Sequence, residues 1–114
     1  MKLPEEGQLL RIFIGEEDTY KGKPLYDAIV LKARELNLAG ATVLRGIMGY
    51  GAHSRVHTAK ILRLSEDMPM VIEIVDTAEN IEKIIPFLDE TVDEGLITRE
   101  NVNVIKYRHS KGEK

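Results

Sequence analysis

The chain has 114 residues, no cysteine, and a formal charge of −3 from 16 basic and 19 acidic side chains. That length suits a single domain over 1–114, with loose ends expected at 1–8 and 109–114, and the missing cysteines exclude disulfides, thiolate metal sites and a cysteine nucleophile. The acidic balance argues against a nucleic-acid partner, and the short, charge-broken apolar runs argue against membrane insertion; with no apolar signal core in Met1–Gln8, a cytoplasmic location is expected.

Leu9–Ile14 alternates Leu10, Ile12 and Ile14 against Arg11 and Phe13, a strand pattern that ends at Gly15. Glu16–Lys23 reads as a polar loop. Leu25–Leu38 reads as a helix with Pro24 near its first position, Leu25, Ile29, Ala33 and Leu36 at helical spacing, and Gly40 as its stop. Ala41–Ile47 is a second strand, Gly46–Thr58 a glycine-rich polar loop, Lys60–Leu64 a short third strand and Met70–Val75 a fourth. Pro69 stands where that fourth strand begins, a position that tolerates a missing N–H.

Asp76 with Glu79 has the spacing of a capping box, and Ile81, Ile84, Ile85, Leu88 and Val92 mark the buried stripe of a second helix. Pro86 lies inside that stripe, where it should kink or split the helix, and Gly95 is its expected end. Val102–Tyr107 is the last expected strand.

The order is therefore β-α-β, a loop, then β-α-β. It specifies an α+β ferredoxin-like sandwich, an antiparallel sheet with two helices on one face. The second sheet face also carries apolar residues. In the fourth strand Met70, Ile72 and Ile74 alternate with Val71 and Val75, which flank Glu73, while Phe13, Leu62, Leu64 and Ile105 are further candidates for the uncovered side. An apolar face that large calls for burial against copies of the same chain.

Arg45-Gly46-Ile47-Met48-Gly49-Tyr50-Gly51, with Leu38–Val43 before it and Arg55–Ala59 after it, resembles the PII-like family catalogued as domain of unknown function 190. Gly22–Leu25 and Met70–Asp76 agree with it too, and the likeness runs from Leu9 to about Tyr107. The resemblance implies a ferredoxin-like fold, a homotrimer like that of PII signalling proteins and no established activity. Members also occur beside or fused to fluoride-channel-type membrane proteins, which implies a membrane channel as a protein partner.

In PII proteins a long loop joins the second and third strands, and a nucleotide lies between subunits near its base. Gly49-Tyr50-Gly51 resembles the Gly-aromatic-Gly at that base, where glycine lets backbone N–H groups approach a phosphate. Gly95-Leu96-Ile97-Thr98 resembles the start of the second PII nucleotide-binding loop, and beyond it the likeness stops at Arg99, Glu100 and Asn101. Arg108, with Lys106 and Lys111, is a basic group for phosphate contact. The resemblance thus implies ligand contacts at Gly49, Tyr50, Gly51, Gly95 and Thr98; with Gly46 of the glycine cluster and the basic Arg45 and Arg108 they make up the candidate ligand site, with a nucleotide as the candidate ligand.

Each feature has a plainer reading. Gly46, Gly49 and Gly51 also suit a bulged hairpin. His53 and His57, four apart, have metal-ligand spacing but no third ligand beside them, and solvent-exposed histidines account for them better. Arg45, Arg55, Lys60 and Arg63 either attract an anion or partner, or protect a strand edge. Glu16, Glu17 and Asp18 read as a solvated loop before a cation site. Ser54 beside His53 lacks a nucleophile-elbow pattern, and no reaction is expected. Three functions remain: an oligomeric sensor of a small anionic ligand, a ligand-free module docking on a channel or other protein, and a metal-binding trimer.

Overall fold

The structure is a computed structural model that describes residues 6–49 and 68–108. The expected third strand at Lys60–Leu64 lies outside the described residues, as do Leu62 and Leu64. Strand β1 spans Glu6–Gly15, β2 Thr19–Tyr20, β3 Lys23–Pro24 and helix α1 Leu25–Glu35. Strand β4 spans Thr42–Arg45, β5 Pro69–Asp76, helix α2 Ala78–Thr91 and β6 Leu96–Asn103. The main sheet has the order β4-β5-β1-β6 with every neighbouring pair antiparallel, the ferredoxin-like arrangement.

Both helices pack on one face. Leu10, Ile12 and Ile14 of β1 and Met70, Ile72 and Ile74 of β5 form a core with Leu25, Ile29 and Ala33 of α1 and Ile81, Ile84 and Leu88 of α2. Each such Leu or Ile contributes about 1.5–3 kcal/mol by leaving water. The alternate residues, Leu9, Arg11 and Phe13 with Val71, Glu73 and Val75, are only half-buried and face away from the helices. Register aligns Leu44, Val71, Phe13 and Leu96 into an apolar row across all four strands. Beside it Arg11 donates from Nε to Glu73 Oε2 at 2.9 Å. That hydrogen bond, with the nearby Glu73 and Glu100 charges, raises the Arg11 pKa against the opposing effect of burial.

Several local expectations are corrected. β1 begins at Glu6, so residues 6–8 belong to the sheet rather than to a loose end. The polar loop after β1 contains the two-stranded hairpin β2–β3, whose connecting Lys21 and Gly22 have φ of 52° and 81°, the two positive values of a type I′ turn. Helix α1 stops earlier than Gly40. Asn37 takes φ 62° and donates to Arg34 O at 3.0 Å, while Leu38 N reaches back to Ala33 O at 3.0 Å, the two bonds of a Schellman motif.

Helix α2 is capped by Thr77, whose hydroxyl accepts from Asn80 N at 3.1 Å, rather than by Asp76. It runs unbroken past Pro86, which stands on its exposed side, and it ends at Thr91 rather than Gly95. The last strand is Leu96–Asn103, six residues ahead of the Val102 start expected for it. Ile105 follows β6 and is almost fully exposed instead of lying on the sheet.

Candidate functional site

The candidate site is at the end of the sheet where β1 and β4 finish and β5 and β6 begin, as the pairings of Gly15 with Pro69, Arg45 with Met70 and Phe13 with Leu96 require. Pro69 is the platform for the glycine segment. Gly46 N donates to Pro69 O at 2.7 Å, and a Cβ on Gly46 would come within 2.7 Å of Pro69 Cγ. A Cβ on Gly49 would meet the same atom at 3.0 Å. Close packing on Pro69 therefore demands glycine at 46 and crowds a side chain at 49, and neither glycine has a positive φ.

Arg45 continues this base outward. Its Nε donates to Glu16 Oε1 at 3.1 Å, and its Nη2 lies 3.1 Å from the same oxygen. Glu16 N in turn donates to Met68 O at 2.8 Å. The exit of β1, the exit of β4 and the start of β5 are thus tied into one unit. Glu16 is therefore an ion-pair partner; its neighbour Asp18 accepts from Gly15 N at 3.0 Å and so builds the turn. Among the described residues no cluster of three or more His, Asp or Glu is placed to hold a metal. His53 and His57 lie outside the described residues, together with Tyr50, Gly51, Arg55, Lys60 and Arg63.

The remaining candidates are elsewhere. Gly95 is at the same end of the sheet but at its opposite edge, three strand spacings or roughly 14 Å from β4. A Cβ there would fall 2.5 Å from Phe13 O, so Gly95 too is demanded by packing. Thr98 pairs with Arg11 on β6, facing the uncovered side of the sheet. Arg108 follows the far end of β6, where its neighbour Tyr107 donates its hydroxyl to Ala39 O at 3.2 Å. One chain therefore joins Arg45, Gly46 and Gly49, and leaves Gly95, Thr98 and Arg108 apart.

Sequence reasoning missed Glu16 as the partner of Arg45 and Pro69 as the platform. The topology held the signal: in a β-α-β unit the first two strands run the same way, so the residues leaving both strands share one end of the sheet. Leu44, Ile47 and Met48 add an apolar element to this corner, with Ile47 78% and Met48 63% exposed.

A family model for domain of unknown function 190, described as an uncharacterised ACR family, matches residues 7–104. A UPF0166 protein of Aquifex aeolicus is 42% identical over 100 residues, which cover 86% of this chain and 92% of the relative. A UPF0166 protein of Methanocaldococcus jannaschii is 36% identical over 102 residues, covering 89% and 94%. Among solved structures, a putative PII-like signalling protein from Thermus thermophilus superposes with a TM-score of 0.59 at 19% identity, covering 87% of this chain and 89% of that one. A structure of CPII bound to ADP and bicarbonate, from Thiomonas intermedia, superposes with a TM-score of 0.55 at 16% identity, covering 87% and 88%. At such identities the superpositions speak for the fold alone. With the family match over nearly the whole chain and this shared fold, the chain belongs to the domain of unknown function 190 family, built on the PII-like ferredoxin fold.

Proposed function

We propose that this protein is a PII-like regulator that senses a small anionic ligand, with a nucleotide as the leading candidate, at a boundary between copies of itself. The observation that carries the reading is the split between the two glycine segments. Gly46 and Gly49 stand at one edge of the sheet and Gly95 at the other, at the same end. A second copy that brings its β6 edge to the β4 edge of the first unites the two halves, which a single chain holds apart. The uncovered row Leu44–Val71–Phe13–Leu96 gives such an assembly, a homotrimer in this proposal, its apolar contact surface. The ADP and bicarbonate bound to the Thiomonas protein are small anions of the same class. No reaction is assigned, and the protein acts in the cytoplasm by binding alone.

Calorimetric titration of the oligomer with ATP, ADP, AMP and cyclic nucleotides tests this. Saturable binding near one ligand per subunit, lost in Gly51→Asp, is the expected result. Silence across the panel from an intact oligomer refutes ligand sensing.

The exposed Leu44, Ile47 and Met48 favour a second reading, a ligand-free module that docks on a membrane channel or other protein. Capture of a partner without added nucleotide, abolished by charge reversal at Arg45 and Arg55, distinguishes it.

A further inference from the structure

Resting on the ligand site proposed above, we infer that Glu16 is a built-in competitor for the phosphate oxyanion: its carboxylate occupies the face of Arg45 that the ligand takes. The guanidinium of Arg45 directs Nε and Nη2 at one oxygen of Glu16, at 3.1 Å each. Arginine presents the same fork to carboxylate and phosphate oxygens, so the two are alternative occupants of one surface. The pair is half-exposed, with side-chain accessibilities of 40% for Arg45 and 29% for Glu16, and exposed pairs of this kind are weak enough to exchange.

The backbones beneath the pair are fixed. Glu16 N is bound to Met68 O at 2.8 Å and Gly46 N to Pro69 O at 2.7 Å, so displacement of Glu16 is a movement of the side chain alone. A ligand that takes the Nε–Nη2 edge of Arg45 must therefore expel a carboxylate, and it does so only if its own charge density on that edge exceeds that of Glu16. The device selects phosphate over weaker anions and sets the threshold concentration at which the site fills. Glu16 touches Arg45 rather than the ligand, and it is a specificity-setting residue on that account.

The test compares wild type, Glu16→Gln, Arg45→Gln and the double variant by calorimetry at one ionic strength, with ATP, inorganic phosphate and uncharged adenosine as probes. Glu16→Gln is expected to tighten ATP by roughly two- to fivefold, the range a half-exposed ion pair supports. Adenosine affinity stays unchanged, and the gain vanishes in the Arg45→Gln background. Tightening of inorganic phosphate as well assigns the competition to the phosphate group itself; tightening of ATP alone assigns it to a phosphate held by its nucleoside. Equal or weaker ATP binding by Glu16→Gln, while wild type binds ATP, overturns the role of Glu16 and leaves the ligand site standing. Silence of wild type and variant toward every probe overturns both.

Discussion

The carboxylate of Asp76, fully buried at the end of β5, accepts a hydrogen bond from the backbone N–H of Ala39 at 2.8 Å. The same side chain takes Thr77 N at 2.7 Å and Asn80 Nδ2 at 3.0 Å on its other oxygen. Ala39 is also the residue whose carbonyl receives the Tyr107 hydroxyl. One buried carboxylate thus joins the connection between α1 and β4 to the first turn of α2, and the segment after β6 is tied to the same point.

Asp76→Ala should therefore be among the most damaging single substitutions. It removes the shared acceptor of the Ala39 N–H, the Thr77 N–H and the Asn80 amide, at about 1–3 kcal/mol for each of these part-buried groups that water does not reach. Urea denaturation checks this: the midpoint should fall sharply with the slope unchanged. A midpoint within error of wild type would mean that solvent reaches these groups.

Gly95→Ala should destabilise by about 1–3 kcal/mol, the usual range for forcing atoms into filled space. The new Cβ would lie 2.5 Å from Phe13 O and 3.1 Å from Val92 Cγ1, and a backbone carbonyl inside a sheet cannot step aside. Gly40→Ala is the control, since nothing lies within 4 Å of its Cβ position; it should stay within about 0.5 kcal/mol of wild type. Thermal melts of the two variants separate these outcomes. The comparison also guards the ligand assay, because loss of binding in Gly95→Ala reports a displaced β6 before it reports a lost contact.

Pro86→Ala should stabilise the protein by about 1–2 kcal/mol. Proline in a helix interior costs about 3 kcal/mol relative to alanine, and part of that returns because proline also restrains the unfolded chain. Pro86 sits on the exposed side of α2, so its replacement opens no cavity. A melting temperature at or below that of wild type would show that the ring makes a stabilising contact that alanine cannot replace.

Elements with a strong apolar period were legible in the sequence. The stripes Leu25–Ile29–Ala33 and Ile81–Ile84–Leu88 and the alternation in β1 and β5 all point where the structure points them. Boundaries failed where a local bond outweighed the pattern. Asn37 ends α1 through a left-handed turn that competes with the better-known stop signal of Gly40. Pro86 does not break α2, because a helix packed by Ile81, Ile84 and Leu88 tolerates one missing hydrogen bond on its outer side. β6 lies ahead of the strand expected from Val102, because Leu96–Asn103 is exposed at nearly every position and shows no alternation of burial. At the site, the glycines were found and their reason was not. Steric closeness to Pro69 is a tertiary fact that spacing in sequence does not carry.

Phe13→Glu should convert the proposed assembly to monomers while leaving each chain folded. Phe13 is central to the apolar row, paired with Val71 on one side and Leu96 on the other, and it faces away from the helices that build the core. A charge there leaves Leu10, Ile12 and Ile14 in place on the opposite face, so the far-ultraviolet circular dichroism should match wild type. Within an assembly the same carboxylate would be buried without a partner, which an interface does not accommodate. Leu31→Glu is the matched control, since Leu31 is a 56% exposed residue of α1 on the helical side. Sedimentation should show monomer for Phe13→Glu and an unchanged oligomer for Leu31→Glu. An intact oligomer in Phe13→Glu would place the contact between copies on another surface, and with it the boundary at which the ligand is proposed to bind.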